Sequence, residues 1–306
     1  QQLEQDIEVI FGGGRRHFLP ESENGRRSDG RNLLNEARSA GYEVAQDRVD
    51  FDRLSATPAL GLFSMSHMAY EIDRNPKQQP SLAEMTAKAI DLLDDDPEGF
   101  FLMVEASRID HAGHSNDAAA HLHDILAFNE AVQVATDAAE RDSNTLVVSV
   151  SDHETGGMTL GRNGIYSWKP APLAAVKGSH GAIIDAAQNA DESGDDPVDT
   201  VAEMTGIDNL SAEEQALIRD NVSSYDRFNQ LLRDIISRRS LIGWTTDGHT
   251  AIDVNLYAFG PGAERFVGNH DNTYVGTTLA DLLNVDLRAI APRVPASSEA
   301  SMGDSR

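Results

Sequence analysis

Cysteine is absent from the 306 residues, so disulfides and thiolate metal sites are excluded. Any metal must rest on His, Asp, Glu or hydroxyl groups. The absence leaves the compartment open, because a secreted bacterial protein can lack disulfides as readily as a cytosolic one. Lysine is scarce: Lys77, Lys88, Lys169 and Lys177 stand alone, and the other basic residues are arginines. No apolar run approaches the length of a membrane span. Gln1-Gln2-Leu3-Glu4-Gln5 has neither an initiator Met nor a charged-then-apolar leader pattern, so the chain reads as beginning inside a domain.

Acid is abundant. Fifty Asp and Glu against 25 Lys and Arg give a net charge of -25, which argues against nonspecific binding to nucleic acid or anionic membrane. An acidic, lysine-poor surface fits a salt-tolerant protein, in which screening relieves self-repulsion, and equally an ordinary acidic one. With 40% hydrophobic residues the chain can bury a substantial core, as one large domain or as a domain with an insertion.

Val9-Ile10-Phe11 followed by three glycines reads as a strand ending in a turn, since no Gly-Lys-Ser/Thr follows to make a phosphate loop. Ser81-Leu82-Ala83-Glu84 is a capping box opening a helix to about Leu93. Phe100–Val104 reads as a strand, about 118–140 as a helix, and Thr145–Val150 as a strand buried on both faces. This alternation predicts an α/β sandwich with a mostly parallel sheet. Between 162 and 243 the pattern changes to an insertion, with a polar loop at Asp191–Pro197 and a second capping box at Ser211–Glu214. There Leu217, Ile218, Val222, Tyr225, Phe228, Leu231, Leu232 and Ile235 form one helical apolar stripe, read as core or inter-subunit packing. The expected layout is core over 1–161, insertion over 162–243, and return to core over 244–290. That return includes a strand at Ile252–Phe259 and a helix near Thr277–Leu283, with a disordered tail over 291–306.

Three polar clusters stand out: Glu105 to His114, Ser151-Asp152-His153-Glu154-Thr155-Gly156-Gly157, and Asp247-Gly248-His249-Thr250. In parallel α/β sheets ligands gather beyond the carboxyl ends of strands. Asp110 and His114 are four apart and share one face if that segment is helical. With His249 they make three N/O ligands and leave a fourth position open, as a catalytic zinc requires. Asp152 and His153 can begin a second zinc site, and Glu105 suits harder magnesium. Two zincs about 4 Å apart can hold the attacking and leaving oxygens of a phosphoryl displacement. Taken singly, each cluster is equally an exposed helix face, a helix cap or a strand end. His121 and His123 read as surface residues. His17, His67, His180 and His270 read as surface or packing residues.

The ordered set Gly99–Glu105, Arg108–His111, His114, Ser151–His153 and Gly248–Thr250 resembles the alkaline phosphatase family, with support from Val9–Arg15, Asp29–Leu33 and Gly61–Phe63. The resemblance covers nearly the whole chain except the insertion. It implies a three-layer α/β/α sandwich with a large, mostly parallel sheet, two Zn2+ and one Mg2+. Asp110, His114 and His249 would hold the first zinc, Asp152 and His153 the second, and Glu105 the magnesium. His111 would lie near the phosphate. The insertion corresponds to the family's variable crown, often at a homodimer interface. The resemblance further implies phosphate-monoester hydrolysis through a phosphoserine, and a periplasmic or secreted location.

One departure stands out. The family's nucleophilic serine, bridging aspartate, magnesium-binding threonine and phosphate-binding arginine belong to an earlier segment, and no Asp-Ser-Ala motif occurs in these residues. No catalytic nucleophile is assigned. The expectation is a C-terminal portion of the enzyme, inactive alone, with a separate N-terminal segment or chain as a partner. A phosphodiesterase or phosphomutase of the same superfold is the alternative enzyme reading. A catalytically dead zinc-binding or dimerisation fragment is the alternative of a different class.

Overall fold

The computed structural model describes residues 7–290. The chain opens with Val9–Gly12 (β1), Leu33–Ser39 (α1), Glu43–Ala45 (β2), Arg48–Arg53 (α2) and Ala59–Leu62 (β3). The three strands form a parallel sheet in the order β1-β3-β2. The central strand, β3, is buried along its whole length, which is why Ala-Leu-Gly-Leu shows no polar alternation. Phe11, Phe51 and Phe63 meet over one face, with edge-on ring contacts of 5.7 and 5.5 Å. Leu82–Leu93 (α3) follows, and both hydrogen bonds of the capping box expected at Ser81 and Glu84 are made.

Arg108–His114 (α4) and Ala118–Asp142 (α5) come next. Then follow Val147–Val150 (β4), Glu154–Thr155 (β5), Thr159–Leu160 (β6), Pro170–Ala174 (α6), His180–Ser193 (α7) and Pro197–Thr205 (α8). The remainder is Ala212–Asn221 (α9), Tyr225–Ser240 (α10), Ile242–Gly243 (β7), His249–Thr250 (β8), Leu256–Phe259 (β9) and Asn272–Leu282 (α11). Two compact units result. One ends at Ala138 and resumes over His153–Asp253; the other holds Ala139–Asp152 and continues from Val254.

Segment 162–243 lies wholly within the first unit, where α6 to α10 surround a core containing Ile183, Ile184, Ile218, Phe228, Leu232 and Ile235. The stripe expected to be one helix is two, α9 and α10, with the turn near Val222–Ser224 between them. Ile218, Val222, Phe228, Leu232 and Ile235 are core, whereas Leu217 and Tyr225 stay exposed. The expected polar loop at 191–197 is mostly helix: α7 runs to Ser193, Gly194 takes a left-handed φ of 87°, and Asp196 already caps α8.

Three expected strands change. Phe100–Val104 is not in any ladder among the described residues, and Phe101 and Met103 are exposed. Apolar composition favours an extended backbone, but a strand needs a neighbour to share its hydrogen bonds. β4 is not buried on both faces: among the described residues it pairs only with β9, antiparallel, and Val150 is exposed. The expected strand from Ile252 begins only at Leu256, with Ile252 itself exposed. The tail expected over 291–306 lies outside the described residues.

Glu214 ties α9 to α10. Its carboxylate takes two 2.8 Å hydrogen bonds from Arg239 as well as the capping-box bond from the Ser211 backbone. The Arg239 bond holds its pKa at about 2, far below the ordinary glutamate value. A depressed acid contributes stability above its unfolded pKa and loses it as pH falls through the folded one. Glu214→Gln should therefore cost about 3 kcal/mol at pH 7, by conversion of the shift, with the deficit vanishing as pH falls from about 4.5 through 2. Urea unfolding of both proteins at pH 7 and pH 2.5 checks this; an equal deficit at both would contradict it.

Candidate metal centre

Three backbone segments of the first unit converge. Helix α4 carries Asp110 and His114 on one face, as the four-residue spacing requires. Strand β5 pairs antiparallel with β8, setting Thr155 opposite His249. Helix and strand approach closely because Gly113 faces Thr155: a Cβ at Gly113 would stand 2.9 Å from the Thr155 Cβ. Gly156, at φ 93°, is likewise pressed to within 2.7 Å, measured from a built Cβ, of the Trp244 ring.

The donor atoms form a small triangle. His114 Nε2 is 3.3 Å from Asp110 Oδ1, His249 Nε2 is 3.5 Å from the same oxygen, and the two Nε2 atoms are 3.2 Å apart. Ligands at zinc's bond lengths of about 2.0–2.1 Å on a tetrahedron stand about 3.3–3.4 Å from one another. Among the described residues these three are the group that can converge on one ion. His114 Nδ1 lies 2.6 Å from the Asp247 carbonyl. A carbonyl only accepts, so Nδ1 carries the proton and Nε2 is the basic nitrogen.

Thr155 completes the setting. Its hydroxyl donates to Asp110 Oδ1 at 2.6 Å, and its oxygen lies 3.2 Å from His153 Nδ1. With its one proton given to Asp110, the hydroxyl accepts from His153, which makes Nε2 the basic nitrogen there too. Burial pushes the Asp110 pKa up, but the Thr155 bond and the imidazoles of His114, His153 and His249 outweigh it, and the carboxyl is held below its ordinary range.

His153 stands beside this first group, its ring stacked on His249 at 3.6 Å and its Nδ1 4.0 Å from Asp110. Asp152, its expected companion, is an exposed residue of the other unit. Glu105 is exposed, outside any helix or strand, in the segment before α4 and is not part of the Asp110–His114–His249 group. His111 turns to a different side of α4, where Arg108 Nη1 lies 3.1 Å from its Nδ1 and the His67 ring lies 4.5 Å away. His121 is not a surface residue but packs on Trp244, and His180 takes the packing alternative, 2% exposed against Asp117.

Two residues that matter had no role assigned from sequence. Thr155 lies in the second polar cluster and had a signal: in an extended segment it shares a face with His153 two residues earlier. The second is Asn116, buried at φ 49°, whose amide donates to the carbonyls of Gly113 at 2.8 Å and Thr246 at 2.9 Å. It joins the end of α4 to the loop bearing Asp247 and His249. Asn116→Ala should cost roughly 1–3 kcal/mol for the two carbonyls left without a donor, plus roughly 1 kcal/mol for the left-handed backbone. Zinc affinity should fall roughly 10- to 100-fold. Asn116→Gly removes only the backbone cost; if its zinc affinity equals wild type, the amide does not position the site.

Comparison with known proteins decides the family: residues 1–285 match the family model for alkaline phosphatase. The chain belongs to the alkaline phosphatase family. It is 37% identical to an alkaline phosphatase of Schizosaccharomyces pombe over 308 aligned residues, covering 95% of this chain and 58% of that protein. Alkaline phosphatase 3 of Bacillus subtilis is 36% identical, with 92% and 59% covered. Among solved structures, the cold-active alkaline phosphatase of Shewanella sp. superposes with a TM-score of 0.82 at 34% identity, covering 92% of this chain and 66% of that one. The Thermus thermophilus alkaline phosphatase gives 0.79 at 32% identity, with 94% and 64% covered. This alkaline phosphatase family chain thus has the expected α/β fold, and it spans about three fifths of the length of the curated relatives it matches.

Proposed function

We propose that the chain carries the zinc-binding side of a phosphate-monoester hydrolase, with Asp110, His114 and His249 holding the first zinc. The donor triangle of 3.2 to 3.5 Å carries this reading, and family membership supports it. Zinc held there would supply a Lewis acid for a phosphoryl oxygen. The chain's own residues do the positioning: the Asp247 carbonyl sets the tautomer of His114, and the Thr155 hydroxyl orients the Asp110 carboxylate. Asp152 and His153 as second-zinc ligands, Glu105 as a magnesium ligand and His111 near the phosphate follow from the resemblance. So do a homodimer and a periplasmic or secreted location. We assign no nucleophile.

The test is a zinc titration of the metal-stripped chain, followed by phosphate release from p-nitrophenyl phosphate and bis(p-nitrophenyl) phosphate. Tight zinc binding with monoester turnover, or with no turnover, agrees with the assignment. Preference for the diester would favour the phosphodiesterase reading. A chain that binds no zinc would end the proposal.

A further inference from the structure

Strands β5 and β8 are each two residues long, and two paired strands alone are at best marginally stable in water. The two faces of the pair differ. Side chains alternate along a strand, so Thr155 and His249 point one way and Glu154 and Thr250 the other. His153, one residue before β5, belongs to the Thr155 face, where its ring stacks on that of His249. The donor triangle therefore meets one face of the pair, and a carboxylate stands on the opposite one.

Glu154 is not part of the Asp110–His114–His249 group. It is half-buried, and its oxygens accept hydrogen bonds from two segments. The Thr250 hydroxyl, directly across the pair, donates to Oε2, and the Gly157 N–H donates to both oxygens at 2.9 and 3.0 Å. Backbone bonds reach the same turn: the Gly156 N–H donates to the Gly248 carbonyl at 2.8 Å, and the Thr245 N–H to the Gly156 carbonyl at 3.0 Å. The carboxylate adds a side-chain bond between the residue directly after His153 and the residue directly after His249. Hydrogen bonds to an ionised acceptor are roughly twice as strong as neutral ones. The register they hold matters, because a slip of one residue would turn His249 to the opposite face, away from Asp110 and His114.

We propose that Glu154 is a positioning residue of the metal centre: through Thr250 and Gly157 it fixes the β5–β8 register, and with it the placement of His249 against Asp110 and His114. This rests on the reading of those three residues as the zinc site. Glu154 itself holds no metal; it acts through the strand that carries His249.

Two readouts on the full chain test this: zinc affinity by chelator competition, and the visible absorption of bound Co2+, which reports ligand number and geometry. Thr250→Val, which keeps the shape and deletes the hydroxyl, and Glu154→Ala should each lower zinc affinity roughly 10- to 100-fold and alter the Co2+ bands. Thr250→Ser, which keeps the hydroxyl, should match the wild type in both. Because the two side chains act through one bond, the double variant should bind zinc no more weakly than Glu154→Ala. Glu214→Gln on α9 controls for stability alone: it should lower the urea midpoint and leave both metal readouts unchanged. Wild-type zinc affinity and Co2+ bands in Thr250→Val, losses that add in the double variant, or a Thr250→Ser as weak as Thr250→Val would each overturn the brace alone. If the wild-type chain binds no zinc, or Asp110→Ala binds it as tightly as the wild type, the metal-centre reading fails and the brace with it.

Discussion

Asp110→Ala should lower zinc affinity by at least about 100-fold, the upper end of what even an outer-shell partner is worth. The carboxylate oxygen Oδ1 is common to the whole arrangement: it lies within 3.5 Å of both imidazole donors and takes the Thr155 hydroxyl proton. Its removal leaves two neutral nitrogens 3.2 Å apart, a weaker set for a divalent ion. His114→Ala and His249→Ala should give losses of the same order. Thr155→Val, which keeps the shape and deletes the hydroxyl, should cost roughly tenfold, because it only loosens a ligand. Competition against a chromophoric chelator at pH 7.5 measures all four. If Asp110→Ala were no worse than Thr155→Val, the carboxylate would not be a ligand.

Metal binding and folding are linked, so zinc should raise the unfolding midpoint of the wild type and leave that of Asp110→Ala nearly unmoved.

The second large effect concerns stability away from the metal. Asp117 is 1% exposed and accepts three backbone N–H groups: Ala119 at 3.2 Å and Ala120 at 3.0 Å, which start α5, and His180 at 2.6 Å, which starts α7. His180 Nε2 lies 3.7 Å from the same carboxylate, and its Nδ1 pairs with Asn229 at 2.8 Å. One side chain thus caps one helix and ties the first turn of another to it. Asp117→Ala would leave three buried donors unsatisfied, each worth about 1–3 kcal/mol. The expected loss is about 4 kcal/mol, a large share of the roughly 5–15 kcal/mol of an ordinary domain. Asp117→Asn, with one oxygen still able to accept, should lose about half of that. Urea unfolding measures the totals. Hydrogen exchange should show the first turns of α5 and α7 losing protection together. Loss confined to α5 would mean that Asp117 is an ordinary helix cap.

Local rules were readable wherever the cause was local. The capping boxes at Ser81 and Ser211, the long helix from Ala118 and the shared face of Asp110 and His114 each follow from spacing within a few residues. Strand partners were not readable in this way. Thr145–Val150 has the composition of a doubly buried strand, yet among the described residues β4 pairs only with β9; what covers a strand is decided by segments about a hundred residues away. The stripe from Leu217 to Ile235 misled for a related reason: two helices can share one apolar period while Val222–Ser224 turns between them.

By itself the sequence determined the ligand chemistry: without cysteine, a metal must be held by imidazoles and carboxylates, and the ordered clusters named the family. Only the tertiary structure decided which of those groups meet and in what state. The distance from His114 to His249, the proton on His114 Nδ1, the Thr155 bond to Asp110 and the brace at Asn116 all join segments far apart in the chain. Hydrogen bonds and coordination act over about 3 Å, a scale on which residues 130 positions apart become neighbours only through the packing of the helices and strands that carry them.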